Sequence, residues 1–196
     1  GVNAEGGIWP TIVSTIYVTV LAMLICTPIA VLAAVYLAEY AKQGKVVELI
    51  RYAADALASV PSIVMGLFGY ALFVEAMGLG LSMVSAALAL ALLMLPIVMR
   101  TTEEALLSIP DSYREGSFGL GAGKLRTVFT IVLPSAMPGI LSGVILATGR
   151  IVGETAALIY TASSVAKIPS GVFSSTRTLA VHMYLCLLYT SPSPRD

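Results

Sequence analysis

Two charges, Arg150 and Glu154, stand four residues apart in the run SGVILATGRIVGETAALIY, where no other residue is charged. An Arg or Asp at the centre of a membrane span costs about 2.5–3.5 kcal/mol, so a pair kept there faces protein or water and marks a pathway or a lock. At about 100° per residue, Gly139, Gly143, Gly149, Arg150, Gly153 and Glu154 share an arc of about 140°, and the glycines form two GxxxG pairs on the charged face. Two chemistries fit. The pair either neutralises itself while joining helices, or Arg150 meets a translocating anion while Glu154 holds the Arg in place. A guanidinium suits the second role because it offers a planar fork of donors to an anion's oxygens. Arg100, at the end of another apolar run, is a further candidate for the pathway, although snorkelling to the interface explains it equally well.

The polar segment 101–135 carries the other cluster of informative residues, including REGSFGLGAGKLRTVFTIVLP. A stretch longer than about 12–15 residues between spans usually has its own structure or a job. Pro110 suits a first helical turn, Ser112 and Glu115 have capping-box spacing, and Gly119 and Gly121 are natural stops. The pattern predicts a helix over about 110–118, a glycine turn and a second helix over about 124–132, a helix-turn-helix outside the membrane. GAGK is not a phosphate-cradling loop. The positions that need Gly and Ser or Thr hold Phe118 and Leu125, and no strand precedes them.

Enzymatic chemistry finds no parts here. The spans lack paired aspartates, a Ser with a usable His, and any His and carboxylate cluster for a metal. Cys26 and Cys186 have no CxxC spacing, and Cys26 reads as a small buried hydrophobe. His182, the single histidine, has no metal or catalytic companions and reads as structural.

The elements that position these residues follow from composition. Of 196 residues 58% are hydrophobic and 11% charged, with a formal net charge of zero and a mean hydropathy of +0.92. A soluble domain carries roughly 25% charged residues, so this is an integral membrane protein, and the neutral balance gives no reason to expect nucleic acid as a partner. Four apolar runs reach or approach the roughly 20 residues that a span needs: 11–37, 56–74, 79–99 and 138–160. Lys42, Lys45 and Arg51 follow the first run, and Arg100, Arg114, Lys124 and Arg126 follow the third. The positive-inside rule makes those two connections cytoplasmic. Lys167 and Arg177 come after the fourth run. On this topology both ends fall outside, so a further span is expected before Gly1 and another after the end. Residues 185–196 read as an unrelated or disordered tail. Glu48, Arg51 and Asp55 have helical spacing and are expected to pair with one another, while Trp9 suits an interfacial anchor.

One pattern joins the polar segment to a known family. Glu115-Gly116-Ser117, three residues, Gly121, nine residues, Ile131, one residue, and Leu133-Pro134 follow the spacing of the EAA loop in permease subunits of bacterial ABC importers. VYLAEY, SVPSIVMGLFG, MRTTEEALLSIPDSYREGS and GRIVGETAALIYTA also resemble the PstA-type permease of the phosphate importer, over about 6–184. The loop departs from the pattern where two alanines are Gly116 and Ser117. The resemblance implies an all-α polytopic bundle of the type I, MetI-like permease fold, truncated here, with a permease domain over 1–184 in the bacterial inner membrane. It implies that Glu115, Gly116, Ser117, Gly121, Ile131, Leu133 and Pro134 couple the spans to a cytoplasmic ATPase dimer of the PstB kind. A PstC-like second permease and a PstS-like phosphate-binding protein would complete the assembly. ATP and magnesium would sit on the ATPase, with no cofactor in this chain. A permease for another oxyanion or small solute shares the loop motif and stays open as an alternative.

Overall fold

The structure is a computed structural model that describes residues 8–154 and 178–190. Every regular element among them is helical. Helix α1, Ile8–Val35, runs straight into a π-helical segment, Tyr36–Tyr40, and Pro28 inside it does not end it. Without water, each backbone polar group must be satisfied within the segment, which is why an apolar run forms one long helix. Its hydroxyls follow the same rule. Ser14 donates to the Pro10 carbonyl and Thr15 to the Thr11 carbonyl, each at 2.8 Å.

The buried side of α1 repeats every fourth residue through Val18, Ala22, Cys26, Ala30 and Ala34, while Ile16, Val20, Leu24 and Leu32 are exposed. Small residues turn inward and large apolar ones outward, the reverse of a soluble helix and the arrangement that lipid favours. Cys26 is buried, as its place in the run implied.

Among the described residues three helical stretches, Trp9–Tyr40, Met83–Leu107 and Lys124–Gly153, are long and apolar enough to cross a membrane, and a fourth counts only if the bent pair Lys45–Ala58 and Ser62–Ala76 is one span. The expected run 56–74 is therefore not one helix. Helix α2, Lys45–Ala58, stops short of Pro61, whose ψ of 141° takes the chain out of helical conformation. Helix α3, Ser62–Gly69, then continues as a π-helical segment, Tyr70–Ala76. Helix α4, Met83–Leu107, extends past Arg100 rather than ending there, because nothing after the Arg breaks a helix before Pro110.

The polar segment holds α5, Asp111–Gly119, and α6, Lys124–Thr127. The expected second loop helix is not a separate element. It passes through a π-helical segment, Val128–Val132, into α7, Leu133–Gly153. The π turn lets the Leu133 amide bond to the Val128 carbonyl just before Pro134, which has no N–H to give. The Ser135 hydroxyl donates to the Ile131 carbonyl at 2.6 Å, taking up an acceptor at the same joint. The span expected over 138–160 thus begins earlier, and its residues 155–160 lie outside the described set, as do Lys167 and Arg177. Helix α8, Leu179–Thr190, includes 185–190 of the expected tail; residues 191–196 and the side chain of His182 lie outside the described set.

The chain divides into two compact units, one drawn from 1–25, 60–93 and 148–196, the other from 26–59 and 94–147. In the first, the Leu179 amide at the start of α8 donates to the Thr15 hydroxyl of α1 at 2.8 Å, so a side chain satisfies an amide that a helix start leaves open. In the second, α7 lies hard against α4. A Cβ added at Gly139 would meet Ala105 Cβ at 2.8 Å, and one at Gly143 would meet Thr101 at 2.5 Å. The first GxxxG pair is a contact that only glycine permits.

Candidate functional site

Helix α5 begins at Pro110, which holds the N-cap position with φ −58° and ψ 139°, and Asp111 places a negative charge in the first turn. Ser112 is therefore already inside the helix, and no side chain caps its start. The expected Ser112 and Glu115 capping box does not form. The far end closes as expected from the glycines. Gly121 takes φ 87°, the Ala122 amide reaches the Ser117 carbonyl at 3.1 Å, and the Gly121 amide reaches Phe118 at 2.9 Å. These bonds form the left-handed helix stop that glycine makes inexpensive.

Arg114 fixes this helix to its surroundings. Its Nη2 and Nε donate to the two carboxylate oxygens of Glu39 at 2.6 and 3.1 Å. Nη2 also reaches the Leu106 carbonyl at 3.0 Å, and Nη1 reaches the Ile109 carbonyl at 2.9 Å and Asp111 at 3.1 Å. One side chain thus ties α5 to the end of the first span and caps carbonyls at the end of α4. The side chains of Arg114 and Glu39 are 16% and 5% exposed. The hydrogen bond to Glu39 holds the Arg114 pKa above its ordinary value, against the opposing pull of burial. Nearby, Lys124 Nζ stands 5.2 Å above the Tyr40 ring, a second tie between this loop and the first span. A recess of about 570 Å³ opens beside them, lined in part by Glu39, Asp111, Arg114, Phe118 and Lys124.

The motif residues split into two groups. Glu115 and Gly116 are exposed, and a Cβ at Gly116 would meet nothing within 4 Å. Ser117 turns inward, 5% exposed, with its hydroxyl 2.8 Å from that of Thr127, so it stitches α5 to α6. Ser117, Gly121 and Ile131 come together in the lining of a second recess of about 290 Å³, beside Leu120, which is 91% exposed. Leu133 and Pro134 lie at the start of α7, Pro134 exposed.

Arg100 sits in an ion-pair cluster. Its Nη1 reaches Glu103 Oε2 at 2.9 Å and its Nε reaches Asp55 at 3.1 Å, while Arg51 converges on Glu103 Oε1 through Nε and Nη2. Glu103 is fully buried between the two guanidiniums. The expected pairing of Glu48, Arg51 and Asp55 with one another is corrected here: Arg51 reaches across to Glu103 and Asp55 to Arg100, both on α4, where the buried Glu103 carboxylate would be stranded without guanidiniums beside it. Glu39 and Glu103 were not singled out from sequence. The visible signal for Glu39 was a lone acid at the end of an uncharged run.

Arg150 and Glu154 do not keep the geometry that their spacing implied. Helix α7 ends at Gly153, and Glu154 follows in a turn whose amide bonds to Ile151 at 3.0 Å. Among the described residues no ion pair joins them; Arg150 is exposed and Glu154 buried. The second glycine pair differs from the first, since among the described residues a Cβ at Gly149 or Gly153 would meet nothing within 4 Å.

A family model for the binding-protein-dependent transport system inner membrane component matches residues 27–189. The chain belongs to that family. It is an ABC transporter permease, a multi-pass component of the inner membrane, as the loop spacing led one to expect. It is 39% identical to the probable ABC transporter permease protein YqgI of Bacillus subtilis over 93% of this chain and 67% of that relative. It is 42% identical to the phosphate transport system permease protein PstA 1 of Mycobacterium tuberculosis over 79% of this chain and 50% of that one. The PstA of Yersinia pestis is 43% identical over 83% of this chain and 55% of its own. The chain thus spans about half to two thirds of the length of these relatives. An inward-facing structure of the MetNI methionine ABC transporter superposes with a TM-score of 0.64 at 22% identity, covering 93% of this chain and 86% of that one. At that identity the likeness concerns the fold, and the MetI-like permease fold is borne out.

Proposed function

We propose that this permease forms one half of the translocation pathway of an ATP-driven importer of inorganic phosphate. The observation that carries the coupling role is the mounting of α5. Its Glu115 and Gly116 face outward while Arg114 and Ser117 bind it inward, so a push on the exposed face is passed to the first span and to α6. A cytoplasmic ATPase dimer of the PstB kind, holding ATP and magnesium, is the partner that such a face fits. Glu115 offers it a charge and Gly116 a close approach. A PstC-like second permease supplies the other half of the pathway, and a PstS-like protein delivers the anion from the opposite side. The proposal of phosphate is supported by relatives of 42–43% identity named as phosphate transport permeases.

Arg150 is the residue proposed to meet the anion, because it is exposed and no ion pair occupies it among the described residues, with Glu154 close by in sequence. Arg100 has its guanidinium taken up by Glu103 and Asp55, which leaves it a weaker claim on the pathway. Gly149, open among the described residues, gives the second permease a close seat beside Arg150.

The test is uptake of radiolabelled phosphate into vesicles holding the complete permease pair, the ATPase and the binding protein. ATP-dependent accumulation that excess unlabelled phosphate abolishes and excess sulfate does not is the expected result. Accumulation of a different solute, with phosphate ignored, would return the chain to the generic permease reading that the YqgI name allows.

A further inference from the structure

Helix α2 is built inside out. On a helical projection Val46, Leu49, Ile50, Ala53 and Ala56 fall within about 120° of one another, and all five are exposed. On the opposite side, Arg51 and Asp55 reach the α4 residues Glu103 and Arg100, so two of the helix's charges pair with protein, while Glu48, between the two faces, and Lys45, at the start, are exposed. A surface helix in water does the reverse, burying its apolar stripe and solvating its charges. Only an apolar phase on the outer side makes this arrangement favourable.

Sequence neighbours say which phase. Four residues, 41–44, separate α2 from the end of the Trp9–Tyr40 stretch, and a linker of that length reaches at most about 14 Å. Three residues beyond its end, the apolar Ser62–Ala76 stretch begins. Both ends of the helix are held to membrane-inserted chain. Lys42 and Lys45, both exposed, stand at its start, where anionic headgroups would meet them, and the exposed Tyr52 is a residue type that favours the interface.

We infer that α2 lies in the membrane interface with Val46, Leu49, Ile50 and Ala53 inserted among lipid acyl chains and Lys42 and Lys45 at the headgroups. The helix then acts as a float that sets the depth of the cluster around Glu103 and of the span ends it joins. The inference rests on the chain being a membrane component and not on the solute carried.

The experiment places an environment-sensitive fluorophore on single cysteines at Leu49 and, separately, at Glu48 in an otherwise Cys-free permease. Vesicles of phosphatidylethanolamine and phosphatidylglycerol carry a shallow acyl-chain spin label, with and without the other transporter subunits. Emission from the Leu49 site is expected to be blue-shifted and largely lost to the lipid-borne quencher in both preparations, while aqueous iodide quenches the Glu48 site. Quenching of the Leu49 site by iodide, or loss of its lipid quenching once the other subunits are added, overturns the inference. The second result would assign the face to a protein partner.

Discussion

Arg114 and Glu39 lie 75 positions apart in sequence and meet through two hydrogen bonds of 2.6 and 3.1 Å, one to each carboxylate oxygen. Such a fork fixes angle as well as distance. It makes α5 and the Tyr36–Tyr40 segment one mechanical piece, which is what the proposed coupling role requires. The pKa of Arg114 is raised, so the stability it supplies is fully present at and below its ordinary value and is lost only as pH rises through the raised one. The Arg114 half of the clamp therefore does not open anywhere in the physiological range.

Breaking the clamp from one side should cost more than removing it. Arg114→Met leaves a buried Glu39 without its partner and should destabilise the permease by about 3 kcal/mol. Arg114→Met combined with Glu39→Leu should recover much of that loss, because no charge is then stranded. Arg114→Lys should fall between the wild type and Arg114→Met, since it keeps the charge and loses the fork. Thermal unfolding of the purified protein in detergent reads the order of the four proteins. Equal stability of Arg114→Met and wild type would remove the clamp.

The two glycine pairs should respond in opposite ways. Gly143→Ala puts a methyl 2.5 Å from Thr101 and should cost about 1–3 kcal/mol of stability through overpacking. Gly149→Leu meets open space among the described residues and should leave stability within about 1 kcal/mol of wild type, yet weaken recovery of the second permease in pull-downs. Normal recovery with Gly149→Leu would place that face toward lipid.

Arg150 and Glu154 can be separated by charge swapping. If Arg150 meets the anion, Arg150→Met should abolish phosphate uptake at normal complex levels, Arg150→Lys should retain little, and the swap of Arg150→Glu with Glu154→Arg should stay inactive. Substantial uptake by the swapped protein would return the pair to a packing role.

Much of this architecture is legible in sequence, for reasons that can be named. Long uncharged runs must be helical in lipid, and Gly121 needs no tertiary knowledge to be read as a helix stop, since its left-handed φ of 87° is a local demand. What sequence does not show is tertiary. Arg51 has helical neighbours in Glu48 and Asp55 and bonds to neither, because Glu103 lies buried within reach. Ser112 and Glu115 have the spacing of a cap, but Pro110 starts the helix two residues earlier. The second loop helix reads as ending at about 132, and a π turn over Val128–Val132 carries the chain on into α7. Ser117 and Gly116 look alike as small loop residues, and only the fold turns one inward and leaves the other open.

The coupling role of α5 is tested most directly by measuring ATP hydrolysis and phosphate uptake together in vesicles that hold the complete transporter with Glu115→Lys. Glu115 is exposed, so the substitution leaves the fold intact and reverses a charge only at the proposed docking face. The expected result is a permease inserted at normal levels, with the ATPase either lost from the complex or hydrolysing ATP without accompanying uptake. Wild-type assembly together with wild-type uptake per ATP hydrolysed would contradict the assignment of this loop as the point where the ATPase drives the spans.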